Sequence, residues 1–278
     1  MWSISIYTGS SPFTLEPFQG GPVLTKDQVI DVRADFVADP FMLQHNDRRY
    51  MFFEVMNAET KRGEIALATG NDALTWSYQQ VVLKEPFHLS YPHVFKFQDA
   101  VFMTPETLGA GGVCLYQAHD FPLHWSYVAS LLEGEFADPT VFKVDDRWWM
   151  FACSTPYQHD TLRLYHASRL TGPWTEHPRS PIITKDRRRA RPAGRILNFN
   201  NKLFRFAQDC LERYGSCVRT FEILELTPNS YSEVEVGHGP VLKPSGLGWN
   251  ARGMHHIDAH QQSDGSWLAC VDGASGTK

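Results

Sequence analysis

The chain has 278 residues, 42% of them hydrophobic and 21% charged, with a formal net charge of −5. That much apolar surface excludes a disordered chain, and no run approaches the ~18 to 20 apolar residues of a membrane span. The mild acidity argues against a general nucleic-acid binder, whose affinity would come from clustered Lys and Arg; the one basic run, 185–189, is local.

Long helical periodicity is nearly absent. Short alternating, β-branched and aromatic runs recur instead, each after a polar turn with hairpin chemistry. In chain order, His45-Asn46-Asp47-Arg48 precedes a strand over 49–55, Phe97-Gln98-Asp99 one over 100–104, and Asp145-Asp146-Arg147 one over 148–153. Strands closing hairpins at this spacing belong to an all-β sandwich, barrel or propeller.

A repeat selects among these. Ala38-Asp39-Pro40-Phe41, Ser90-Tyr91-Pro92-His93, Ala137-Asp138-Pro139-Thr140 and Ala190-Arg191-Pro192-Ala193 share one plan, and Met254–His260 is a fifth variant without the proline. The prolines recur at intervals of 52, 47 and 53 residues, which suits one four-stranded blade each. Leu74-Thr75-Trp76-Ser77 and Gly172-Pro173-Trp174-Thr175 read as turns before outer strands. The predicted fold is a five-bladed β-propeller forming a single domain over residues 1–278; an irregular β-sandwich is the alternative.

The innermost strand of each blade lines the axis, so the five anchors converge at one mouth. Asp39 and Asp138 open equivalent inner strands, and paired carboxylates fixed in this way suit glycosidic bond cleavage, which needs a proton donor and a base or nucleophile. An Asp-Pro pair can equally be a simple turn cap. Glu106, between Pro105 and the Gly-rich turn at 109–112, is the third candidate carboxylate, the competing reading being a surface Glu at a hairpin tip. Glu54, flanked by apolar residues that raise a carboxyl pKa, is the second-choice acid. Asp209 is an outside candidate.

Arginine forks grip carboxylates or phosphates. Arg191, Arg195, Arg205 and Arg252 near the inner strands of blades four and five are therefore expected to hold an anionic ligand or to brace the acids. Arg191 and His256 are expected in the pocket of Asp39. His255, His256, Asp258 and His260 form the densest histidine cluster. Its spacing permits two or three metal ligands, but hydrogen bonding to sugar or plugging of the channel is the preferred reading, and no metal or cofactor is assigned. Asp35, His93, Gln208 and Trp249 complete the candidate sugar-contacting set. Walker, dinucleotide and nucleophile-elbow motifs are missing.

Cys114, Cys153, Cys210, Cys217 and Cys270 are odd in number, so a disulfide framework is not expected, although Cys210 and Cys217 could bridge. They read as mostly buried free thiols in a reducing compartment. The first residues, Met1-Trp2-Ser3-Ile4-Ser5-Ile6, lack the basic and apolar regions of a signal peptide. A cytoplasmic location is expected.

These motifs resemble one family. Ala34–Met42, Tyr50–Asn57, Tyr91–Phe95, Ala137-Asp138-Pro139, Arg191–Gly194, Arg205–Asp209 and His255–Asp258 are similar to the domain at the N-terminus of plant glucosamine inositolphosphorylceramide transferases and to bacterial stand-alone proteins. That domain is similar in turn to the five-bladed propellers of glycoside hydrolase families 43, 32 and 68. The resemblance covers nearly the whole chain and implies carbohydrate in the axial mouth. It makes Asp39 the general base and Asp138 the carboxylate that tunes the acid. The family 43 acid is a Glu in a later blade; here Arg191-Pro192 stands where it is expected, and Glu106 would have to supply the proton from blade two. The resemblance also implies that the propeller uses all 278 residues, leaving none for the transferase domain of the plant proteins.

The sequence therefore predicts a glycoside hydrolase acting on a furanoside or related glycan, with Asp39 as base or nucleophile, Glu106 as acid and Asp138 as tuning carboxylate. A non-catalytic carbohydrate-binding propeller and a transglycosidase or transferase-associated module are the alternatives. The partner is a carbohydrate, with no nucleic acid and no membrane span.

Overall fold

A computed structural model describes residues 1–72 and 74–276. Among them, five antiparallel sheets form the five blades of a β-propeller. Blade one runs through Ala34–His45, Arg48–Asn57, Arg62–Gly70 and Ser77–Leu83; blade two through Ser90–Phe97, Ala100–Glu106, Gly112–Asp120 and His124–Glu133. Blade three comprises Ala137–Val144, Arg147–Cys153, Leu162–Ala167 and Thr175–Glu176. In blade four the inner strand is broken into Arg191–Pro192 and Leu197–Phe199, both pairing with Lys202–Asp209, followed by Cys217–Leu226 and Tyr231–Glu235.

Blade five joins the two ends of the chain. Its inner strands, Ile257–Gln261 and Trp267–Ala274, come from the C-terminal side, and its outer strands, Trp2–Ser11 and Thr14–Pro17, from the N-terminal side. Trp2 lies opposite Ala274 and Gly9 opposite Trp267. This pairing closes the ring, so that each blade has neighbours on both sides. No anchor motif marks Trp2–Ser11, and the repeat alone does not assign it to a blade.

Local chemistry explains the hairpins. Asn46 and Asp47 have φ of 48 and 59°, and Asn200 and Asn201 have 52 and 59°, the left-handed pair that a two-residue type I′ connection requires and that Asn and Asp tolerate best. Hydrophobic clusters fill the seams between blades. Ile4, Ile6 and Cys270 of blade five meet Val37, Met51 and Phe53 of blade one. Phe41, Phe52 and Leu67 meet Tyr91, Val94 and Met103 in the next seam. Each large side chain buried there contributes about 1.5 to 3 kcal/mol. No helix among the described residues is long and apolar enough to cross a membrane.

The anchors are built around a bulge. Pairing of inner and second strands skips two residues between Ala38 and Phe41, between Ser90 and His93, and between Ala137 and Thr140. Within the skips Asp39, Tyr91 and Asp138 adopt φ of 53, 47 and 51°, each immediately before a proline. Bulges re-aim side chains, and left-handed strain in non-glycine residues concentrates at functional sites. Three blades thus carry the same strained device at the same place.

Candidate axial carboxylate site

Around the bulges the second strands supply an outer ring. Glu54, Glu106, Cys153 and Gln208 lie opposite Ala38, Ser90, Ala137 and Arg191. In blade five Val271 pairs with Ile257, and Asp272 follows it beside His256. Asp39, Glu54, Glu106, Asp138 and Asp272 are all buried. The carboxylates come from four of the five blades.

Arg191 locks one side of this cluster. Its Nε donates to Asp138 Oδ2 at 2.6 Å, and its Nη2 donates to Asp138 Oδ1 at 3.3 Å and to Glu106 Oε2 at 3.2 Å. Nη1 donates to Pro156 O and meets His159 Nδ1 at 3.0 Å. Tyr214 lies against the guanidinium, 5.0 Å from its carbon to the ring centre. Asp138 Oδ2 also accepts from Gln208 Nε2 at 2.8 Å, and the Asp138 backbone N–H donates to Glu106 Oε2 at 3.2 Å. Arg191 therefore braces two acids of neighbouring blades. A buried guanidinium is tolerated because it is paired and hydrogen-bonded.

The other side centres on Asp39. Its Oδ2 accepts from the Tyr91 backbone N–H at 3.2 Å, and its own N–H donates to Asp272 Oδ2 at 3.0 Å. Asp39 Oδ1 faces His255 Nε2 at 3.7 Å and His256 Nδ1 at 3.8 Å. Asp272 accepts the backbone N–H groups of His255 and His256, and His255 Nδ1 meets it at 2.7 Å. Asp39, His255 and Asp272 each bring a donor atom within 4.8 Å of the others. The His255 ring is already engaged by Asp272, which joins the three in a hydrogen-bonded chain.

Burial, reinforced by neighbouring carboxylates, pushes Glu54 well above the usual carboxylate range. Its Oε1 faces His88 Nε2 at 3.4 Å. Because His88 Nδ1 accepts the Gly63 N–H at 2.8 Å, a neutral ring carries its hydrogen on Nε2, toward Glu54. Burial raises Glu106 to about 8 against the pull of Arg191. Burial also raises Asp39 to about 7, opposed by His255 and assisted by Asp272 and Asp138.

A separate polar tier lies two to four residues further along the inner strands. Arg195 is joined to Asp258, and its Nη2 donates to Met42 O at 3.1 Å and Val94 O at 3.3 Å. Asp258 Oδ2 accepts the Met42 N–H at 2.7 Å and meets His260 Nε2 at 2.8 Å. Although buried, Asp258 is held far below the usual carboxylate range by Arg195 and His260. Between the tiers Tyr91 Oη accepts the Gly194 N–H at 2.8 Å and donates to Gly194 O at 3.1 Å or shares a hydrogen with Thr140. His93 and His256 are buried beside Phe41, and burial drives their rings down to about 3 and about 4.

The structure thus gathers Asp39, Glu54, Glu106, Asp138, Arg191, Gln208, His255 and His256 into one buried cluster. It divides the histidine cluster: the strand begins at Ile257, so His255 and His256 precede it near Asp39, while Asp258 and His260 belong with Arg195 in the second tier. Several expected contacts are corrected. Asp35 is exposed and pairs with Lys61 at 3.0 Å; Asp209 is bound by Arg219 Nε at 2.8 Å and caps Leu211. Arg205 is clamped to Glu233 inside blade four. Trp249 packs over Gly273 and lines an 870 Å³ groove beside Tyr7 and Phe13; Arg252 is exposed. Glu106 ends its strand in the interior rather than sitting at a surface tip. All five cysteines are free thiols, Cys210 and Cys217 included.

Sequence reasoning passed over Asp272, His88 and His159, and gave Tyr91 and Tyr214 no role at the site. Tyr91 had a visible signal, since it occupies the pre-proline position of Asp39 and Asp138. Asp272 had a weaker one, a lone acid in the apolar strand Trp267–Ala274.

Comparison with known proteins places this geometry. Residues 1–274 match the family described as glucosamine inositolphosphorylceramide transferase 1, N-terminal. The chain is 34% identical to glucosamine inositolphosphorylceramide transferase 1 of Oryza sativa subsp. japonica, over 98% of this chain and 40% of that protein. It is 32% identical to the protein of the same name from Arabidopsis thaliana, over 98% of this chain and 39% of that protein. The chain thus spans about 40% of the length of these relatives. Among solved structures, a thermostable family-43 glycoside hydrolase superposes with a TM-score of 0.63 at 14% identity, covering 85% of this chain and 88% of that one. The catalytic domain of the Coprinopsis cinerea GH62 α-L-arabinofuranosidase gives 0.64 at 12% identity, covering 96% of each. These two likenesses are of fold. By sequence, the chain belongs to the family of the N-terminal domain of glucosamine inositolphosphorylceramide transferase 1.

Proposed function

We propose that the axial carboxylates carry out acid–base chemistry at a glycosidic bond, as a glycoside hydrolase acting on a furanoside or related glycan. The observation that carries this reading is the pair Glu106 and Asp39, buried in one carboxylate cluster and raised to about 8 and about 7. At neutral pH Glu106 holds a proton to give to the leaving oxygen, while a substantial fraction of Asp39 is ionised and free to take a proton from water or to attack the anomeric carbon. The proton leaves Glu106 as the glycosidic C–O bond breaks; Asp39 accepts the proton of the attacking water, or forms the new bond itself. Asp138, held by Arg191 and Gln208, orients Glu106 through its backbone N–H. Tyr214, 39% exposed beside Arg191, offers an aromatic face for a sugar ring.

The relatives are named as transferases, and this supports a second reading in which a sugar or lipid hydroxyl replaces water as acceptor, with the same carboxylates at work. A panel of nitrophenyl furanosides and pyranosides, with and without an alcohol acceptor, tests both. Turnover that disappears in Asp39→Asn, and that in Glu106→Gln survives only where the nitrophenolate leaves without a proton, supports the carboxylate chemistry, and alcohol-dependent products select transfer. Sugar binding without turnover on any glycoside contradicts it and leaves a binding module.

A further inference from the structure

The groups around Asp39 that the proposed chemistry does not use are themselves organised. Asp272 is fully buried, and it accepts hydrogen bonds from three backbone N–H groups, those of Asp39, His255 and His256, and from the His255 ring. One of the three belongs to the strained residue itself, Asp39 at φ 53°. The His255 ring stacks on Trp2 at 3.9 Å and 19°, and Tyr214 meets it edge-on at 5.2 Å. Gly215 completes the clamp, because a Cβ there would come within 2.8 Å of His255 Cβ and 3.1 Å of Trp2. The ring is thus fixed in plane and position, with Nδ1 on Asp272 and Nε2 aimed at Asp39 Oδ1.

We infer that Asp272 and His255 are positioning residues for Asp39: Asp272 pins its backbone in the bulge, and His255, its Nδ1 held on Asp272, presents Nε2 to the Asp39 carboxylate and fixes its direction. The inference rests on the proposed acid–base reading for its consequence in catalysis, but the arrangement itself can be tested without turnover. Burial opposes a charged His255, yet the Asp272 carboxylate and its hydrogen bond, with Asp39 and Asp138 beyond, outweigh it and raise the ring above its ordinary value. The charged and titratable groups facing the pair are Glu54 from blade one, Asp138 from blade three, Arg191 and Tyr214 from blade four, and His256 from blade five. Among these Arg191 lies on Asp138 and Glu106, which leaves His255 as the cation directly facing Asp39.

Histidine-labelled protein examined by ring-nitrogen NMR between pH 5 and 9 tests this. Wild-type His255 should titrate above the ordinary histidine value, and Asp272→Asn and Asp39→Asn should each lower its midpoint. If glycoside is turned over, Asp272→Asn should move the acidic limb of kcat/KM up, because losing the His255 charge outweighs losing the smaller repulsion of Asp272 itself, and leave the basic limb in place. A wild-type His255 midpoint at or below the ordinary histidine value, or a ring that titrates identically in Asp39→Asn, overturns the inference. So does a ring nitrogen whose signal shifts on adding calcium or zinc and returns with chelator, since the three groups would then form a cation site. If no glycoside is turned over while the NMR pattern holds, the acid–base reading fails and the positioning pair stands.

Discussion

Arg191 and Asp138 are 53 residues apart and joined by two hydrogen bonds, Nε to Oδ2 at 2.6 Å and Nη2 to Oδ1 at 3.3 Å, with the same Nη2 reaching Glu106. One guanidinium therefore connects blades two, three and four at the axis. Removing it strands buried Asp138 without its ion-pair partner and takes a hydrogen-bond donor from Glu106.

Arg191→Ala is expected to cost about 3 to 5 kcal/mol, the usual range when one partner of a buried ion pair is lost. Arg191→Lys keeps the charge but loses the fork, and should recover only part of it. Urea unfolding midpoints at pH 7 measure both. An unchanged midpoint in Arg191→Ala would show that the brace contributes nothing to the fold.

The raised carboxyls make stability depend on pH. Asp39, Glu54 and Glu106 have folded values above their unfolded ones, so between about pH 4 and pH 8 these three groups hold more protons in the folded protein than in the unfolded chain, while the lowered His93 and His256 hold fewer below their ordinary value near 6.5. The contribution of the three carboxyls is fully present below about pH 4 and is lost as the pH rises through the folded values. His255, also raised, has the same sign above its unfolded value near 6.5. Asp272 and Asp258 are depressed and act oppositely, their contribution being lost only in acid. Glu54→Gln should therefore gain stability relative to wild type as the pH rises from 5 to 8.5, read as the difference in Tm. A constant difference across that range would contradict a raised Glu54.

Tyr91 crosses the axis to Gly194, accepting its N–H and bonding its carbonyl or Thr140. Tyr91→Phe leaves the ring in place and orphans a buried backbone N–H, at a cost of about 1 to 3 kcal/mol. Thermal unfolding reads this directly. Loss of the hydroxyl without loss of stability would mean that another group reaches Gly194.

The second tier is expected to hold the fold rather than to do chemistry. Asp258→Asn removes the counter-charge of Arg195 and weakens the acceptor of the Met42 N–H. It should lower the unfolding midpoint while leaving the pH dependence of any turnover where it was. A shift of the pH profile comparable to that of Asp272→Asn would place Asp258 in the working site after all.

Much of the architecture was legible because it repeats. The Ala-Asp-Pro pairs announce Asp39 and Asp138 in the same register, and the Asn-Asp turn at 46–47 announces a hairpin. What was hidden depends on contacts far apart in the chain. Asp272 lies 233 residues from the backbone N–H of Asp39 that it accepts, and its strand reads as an apolar run with one acid. Trp2–Ser11 joins blade five only because the ring must close, which no local pattern reports. Tyr91 stands in an anchor but drew no role of its own, since an aromatic residue before a proline carries no charge to suggest a site. Trp249 and Arg252 misled for the converse reason: they precede the fifth anchor in sequence, but the connecting segment carries them away from the axis.

The central claim is that Glu106 gives a proton and Asp39 takes one or attacks, and the pH dependence of kcat/KM for glycoside turnover tests it most directly. The account predicts a bell-shaped profile in the wild type with limbs near 7 and 8, where Asp39 and Glu106 titrate, and loss of turnover in Asp39→Asn. Glu106→Gln should abolish the basic limb and retain activity only on substrates whose leaving group needs no proton. Turnover that survives both substitutions with its pH profile unchanged would contradict the account.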